Sequence, residues 1–123
     1  MLSYKKTSNF HKKLSVNTQG QDYFVGDIHG EFDGLNRALD VVGFDPGCDR
    51  LISTGDLIDR GIKSADVLEL YDASSWFHAV MGNHELMFWR FIAGSMEMYG
   101  IWRHYNTWAR PVTNTRDLLP YAQ

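Results

Sequence analysis

Three short apolar runs recur along the chain, and each is stopped by a glycine. Asp22–Val25, Leu51–Thr54 and Trp76–Met81 run into Gly26-Asp27, Gly55-Asp56 and Gly82-Asn83. A short apolar run alone does not separate a strand from a buried helix segment, but a glycine stop after each run predicts strands. Between the runs the apolar spacing becomes helical. Phe32, Leu35, Leu39 and Val42 line one face, Gly43 stops that helix, and Pro46-Gly47 makes a turn. Ser64 is expected to N-cap a second helix whose inward face is Val67, Leu68 and Tyr71. A third helix is expected from Glu85 to Ala93, ending at Gly94. Beyond it, Met96, Met98, Tyr99, Ile101, Trp102, Tyr105 and Trp108 are core-like in content but lack a clear period.

Strands that alternate with helices predict an α/β fold, here βαβαβ with parallel strands. In such sheets ligands collect beyond the carboxyl ends of the strands. Asp27, Asp56 and Asn83 follow one another at about 30 residues, the length of one βαβ unit, so all three are expected side by side on one sheet edge.

Composition narrows the classes. The chain has 123 residues, 44% of them hydrophobic, which suits one globular domain, with residues 1–20 as a loosely packed leader. The formal net charge of -3 excludes the basic profile of a nucleic-acid binder, and the lysines at 5, 6, 12 and 13 read as a solvated run. Cys48 is the only cysteine, so no internal disulfide can form. No stretch is long and apolar enough for a signal peptide or a membrane span. The expectation is a cytoplasmic protein with no membrane partner.

The polar residues at the strand exits carry the candidate chemistry. They are Asp27 and His29 in Gly26–Gly30, Asp56, Asp59 and Arg60 in Gly55–Gly61, and Asn83, His84 and Glu85 after Gly82. Carboxylate, amide oxygen and imidazole together suit manganese, iron or zinc. Asp27 and His29 can turn toward one ion, Asp56 can bridge two, and Asn83 can serve the second. Two ions about 3.5–4 Å apart polarise a phosphoryl group and activate a water. Arg60 offers a planar fork for phosphate, His84 a proton for a leaving alkoxide, and Asp59 a partner for that imidazole. Taken singly, each of these residues is better read as a turn former or a weak surface ion pair. Three such motifs at equivalent strand ends outweigh that reading. His11, His78, His104 and Cys48 lack such a context and read as structural or solvated.

GDIHG, GDLIDRG and GNHE, in this order, resemble the calcineurin-like metallophosphoesterases, and more narrowly the bacterial and phage serine/threonine protein phosphatases of the lambda phosphatase type. The likeness runs from about Tyr23 to Trp89. It implies two mixed sheets flanked by helices, with a dinuclear site most often holding manganese. Asp27, His29 and Asp56 would hold the first ion, and Asp56 and Asn83 the second. Arg60, Asn83 and His84 would meet the substrate phosphate, with His84 as general acid and Asp59 as its support. Asp59 and Glu85 favour the protein phosphatase branch, with phosphoserine or phosphothreonine proteins as substrates. The alternatives are a dinucleoside polyphosphate hydrolase and an inactive metal-binding fragment. The family also uses two further histidines and a second arginine well downstream. The chain runs only to Gln123, so the expectation is a truncated N-terminal portion of the domain.

Overall fold

The computed structural model describes residues 11–94. Six elements follow in the order β1 (Asp22–Val25), α1 (Phe32–Val41), β2 (Arg50–Ser53), α2 (Ser64–Ala73), β3 (Phe77–Ala79) and α3 (Asn83–Ile92). The strands form a parallel sheet in the order β1-β2-β3. Tyr23, Leu51 and Phe77 lie level across it, as do Val25, Ser53 and Ala79. Because the three strands are parallel and in register, their carboxyl ends open at one edge, and the three glycine-led motifs emerge together. This is the βαβαβ arrangement the pattern predicts. The expected second sheet, and the readings of the aromatic stretch 96–108 and of His104, lie outside the described residues.

Strand alternation decides which side chains enter the core. Leu51 and Ser53 are buried on β2 while Ile52 is less so, and Phe24, one position from Tyr23 and Val25, is exposed. The core gathers Ile28, Leu35, Leu51, Leu57, Ile58, Val67, Leu68, Phe77, Phe88 and Phe91. Three of these, Ile28, Leu57 and Ile58, lie in the exit loops, which are therefore anchored by apolar burial. No helix among the described residues is long and apolar enough to cross a membrane.

Several boundaries differ from expectation. Val42 sits on the C-cap of α1, half-exposed, because the helix stops one residue before it could join the apolar face. The third strand is shorter than Trp76–Met81, although the Trp76 carbonyl and the Val80 amide still bond to β2. Ser64 does not cap α2. Lys63 holds the cap position without a side-chain capping bond, and the Ser64 hydroxyl instead accepts the Asp59 N–H at 3.0 Å and donates to the Gly61 carbonyl at 3.1 Å. A buried hydroxyl must be satisfied, and the preceding loop reaches it first. Helix α3 starts at Asn83, two residues early, so Asn83 and His84 lie in its first turn. Residues 17–20 are tied to the fold: the Asn17 amide donates to the Cys48 carbonyl at 2.9 Å.

Candidate metal centre

Helix α3 begins where it does because the β2 exit loop supplies its cap. Gly82 occupies the N-cap position and has no side chain to offer. Asp56 fills the role from across the cleft, its Oδ1 accepting the His84 N–H at 3.1 Å. Glu85 returns the contact: Oε2 accepts the Asp56 N–H at 3.1 Å and Oε1 the Leu57 N–H at 2.7 Å. The exchange has the logic of a capping box divided between two loops. The first loop joins through the Asp56 carbonyl, which accepts the N–H groups of Ile28 and His29, each at 3.0 Å.

Such close contact requires glycine. A β-carbon on Gly82 would collide with the Asp56 carboxylate and backbone, and one on Gly61 with the His29 carbonyl and Gly30. Around Gly26, by contrast, no described atom beyond its neighbours lies within 4 Å of where a β-carbon would stand. Gly26 therefore has space for a side chain among the described residues, whereas Gly61, which does not end a strand, has none.

The backbone is held in costly conformations here. His29, Asp56, Asp59 and Arg60 have φ of 45°, 53°, 73° and 67°. Among the described residues these are the non-glycine residues with positive φ, and all four are candidate site residues. Left-handed backbone costs roughly 1–2 kcal/mol per residue. Strain of that kind persists where surrounding contacts over-determine it, and it concentrates at functional sites.

The side chains converge accordingly. His29, Asp56 and His84 each offer one donor atom within 4.8 Å of the others, a group able to hold a metal ion. The His29 Nδ1–H donates to the Ile58 carbonyl at 2.8 Å. A carbonyl can only accept, so Nδ1 carries the proton and Nε2 keeps its lone pair for a ligand. Nε2 lies 3.7 Å from Asp27 Oδ2, and the Asp27 carboxylate is largely exposed. No hydrogen bond closes that gap, so both atoms remain available to one ion. The Asn83 amide lies against the Asp56 carboxylate. With its nitrogen inward it donates to Oδ2 at 3.0 Å and to Oδ1 at 3.2 Å. With its oxygen inward two acceptors face each other, the orientation a cation between them selects. Oxygen and imidazole donors in this arrangement fit a hard or borderline divalent ion.

His84 is held from the other side. Its Nδ1 lies 2.9 Å from Oδ2 of Asp59, which is fully buried. Its ring meets that of His29 edge to face at 4.7 Å. Nε2 is thus the other ring nitrogen of an imidazole anchored at its back. Arg60 is exposed on the strained turn after Asp59. Burial pushes the Glu85 carboxyl above its ordinary range, and the N–H groups of Leu57 and Asp56 pull it partly back.

Known proteins resemble this chain in sequence and fold. The pattern of the calcineurin-like phosphoesterases matches residues 23–123. The chain belongs to this family. Serine/threonine-protein phosphatase 2 of Escherichia coli (strain K12) is 45% identical over 80 residues, which are 65% of this chain and 36% of that protein. The symmetrical bis(5'-nucleosyl)-tetraphosphatase of Actinobacillus succinogenes is 49% identical over 65 residues, 52% of this chain and 24% of that protein. A crystal structure of a candidate diadenosine tetraphosphatase superposes with a TM-score of 0.64 at 27% identity, covering 86% of this chain and 43% of the other. The match thus spans about a quarter to two-fifths of the length of these relatives. Among calcineurin-like phosphoesterases, this chain is similar both to protein phosphatases and to dinucleoside tetraphosphatases.

Proposed function

We propose that this chain contributes the metal-binding and proton-donating part of a phosphoesterase that hydrolyses phosphoserine and phosphothreonine monoesters. The observation that carries the reading is that His29, Asp56 and His84 meet within 4.8 Å at the carboxyl edge of a parallel sheet, two candidate ligands beside the candidate proton donor. Asp27, His29 and Asp56 would hold one divalent ion, and Asp56 and Asn83 a second, with manganese the best match to the donors. When bound, two such ions supply Lewis-acid polarisation of the phosphoryl group and acidify a water.

The remaining steps belong to the chain's own groups. Arg60 presents a guanidinium fork to the phosphate oxygens, and the Asn83 amide and His84 orient the ester against it. His84 gives its Nε2 proton to the departing alkoxide. Asp59 keeps the imidazole oriented through Nδ1 and favours its protonated form.

A second reading is hydrolysis of dinucleoside polyphosphates, favoured by the relatives named for that activity. Asp59 and Glu85 support the phosphoprotein reading. The test is turnover by the intact protein with manganese of a phosphoserine peptide and of diadenosine tetraphosphate, side by side. A kcat/KM higher for the peptide supports the proposal, and the reverse order replaces it with the second reading.

A further inference from the structure

We infer that Glu85 is a positioning residue whose two carboxylate oxygens aim the Asp56 carboxylate at the metal site. The inference rests on the metal site proposed above. Asp56 stands at φ 53°, a conformation it does not adopt unaided. The two amide N–H groups that flank its α-carbon, its own and that of Leu57, both end on Glu85, at 3.1 and 2.7 Å. Its carbonyl is taken by Ile28 and His29. The peptide that follows Asp56 is therefore gripped at both ends, the oxygen by the first loop and the nitrogen by α3. With both flanking peptides fixed, the direction of the Asp56 Cα–Cβ bond follows, and the His84 N–H bond to Oδ1 at 3.1 Å sets the carboxylate on it.

Glu85 is not among the grouped donors His29, Asp56 and His84, and both of its oxygens face backbone amides. It also lines a cleft with the apolar side chains of Leu57, Leu68, Tyr71, Phe88 and Trp89. Two converging donors need two acceptors. Glutamine would keep one acceptor and turn an NH2 toward the other N–H. Aspartate keeps both oxygens on a stem one carbon shorter.

The experiment compares the intact wild-type protein with Glu85→Gln, Glu85→Asp and a control, Leu39→Ala, which trims the core on α1. Manganese affinity is measured by titration calorimetry, and folding by thermal denaturation. Losing a group that orients a ligand typically weakens metal affinity by about 10–100-fold, and that loss is expected in Glu85→Gln at a temperature where it is folded. Leu39→Ala should lower the thermal midpoint and leave manganese affinity unchanged. If Glu85→Gln fails to fold, Glu85→Asp decides by the same comparison. Wild-type affinity in the Glu85 variant overturns the inference and leaves the metal site standing. Equal loss of affinity in Leu39→Ala overturns it too, because general loosening would then suffice. A wild-type protein that binds no manganese refutes the metal site and this inference together.

Discussion

Asp59→Asn separates the support of a proton donor from the donor itself. Asp59 is fully buried, and its Oδ2 lies 2.9 Å from His84 Nδ1. Asparagine fills the same volume and can still accept that hydrogen bond through its oxygen, so the imidazole stays in place. What is lost is the charge. Hydrogen bonds to charged groups contribute about 1.5–3 kcal/mol, against about 0.5–1.5 kcal/mol for neutral ones. The imidazolium should therefore lose roughly 1–1.5 kcal/mol of support. At about 1.36 kcal/mol per factor of ten, kcat on a phosphoserine peptide should fall roughly five- to thirteenfold. His84→Asn removes the donor altogether and should cost about 10²–10⁴-fold on that substrate. An activated aryl phosphate, whose leaving group needs little protonation, should be much less affected in both variants. The assay is kcat on the two substrates at saturating manganese, with metal content checked in each variant. Equal losses on peptide and aryl phosphate, with metal content unchanged, would refute the acid role of His84 and the supporting role of Asp59.

Three further outcomes are expected. Arg60 has φ 67°, so Arg60→Gly should be more stable than Arg60→Ala by roughly 0.5–1 kcal/mol, the left-handed penalty less the greater unfolded freedom of glycine; denaturant melts that rank alanine higher would show that the turn is unstrained. Gly82→Ala should disrupt folding or manganese binding because its β-carbon meets Asp56, whereas Gly26→Ala should melt close to wild type; the opposite ranking would refute the loop packing. The carboxyl of Asp22 is held below the ordinary 3.8 by the Arg50 guanidinium, and that of Asp49 by the N–H groups of Asp45 and Gln21. Both are depressed in the fold, so their stabilisation is present above the unfolded value and is lost as pH falls through the folded one. Thermal midpoints should therefore drop on acidification below about pH 4, less steeply in Asp49→Asn; an unchanged slope would show that Asp49 has no part in it.

Much of the architecture was legible in the chain because it is local. Glycine stops after Val25, Thr54 and Met81, with helical spacing between them, were enough to predict parallel strands opening on one edge. The order and spacing of Asp27, Asp56 and Asn83 then implied that distant residues would meet. Side-chain identity also carried the chemical class, since carboxylate, amide and imidazole donors have restricted metal preferences whatever the fold.

What only the tertiary structure decided is how each polar group is satisfied, because that depends on partners from other elements. Ser64 has the side chain of a helix cap, yet its hydroxyl serves the loop from Asp59 to Gly61. Glu85 reads in the chain as the last letter of a motif, but in space it holds the backbone on which Asp56 stands. Gly26 and Gly82 precede their motifs in the same way, and only Gly82 has a neighbour against it. Helix α3 begins at Asn83 because a carboxylate from β2's exit loop accepts the His84 N–H. Periodicity reports which face of an element is apolar. It carries no record of which hydrogen-bond donor from elsewhere arrives first, and that contest is settled by three-dimensional packing.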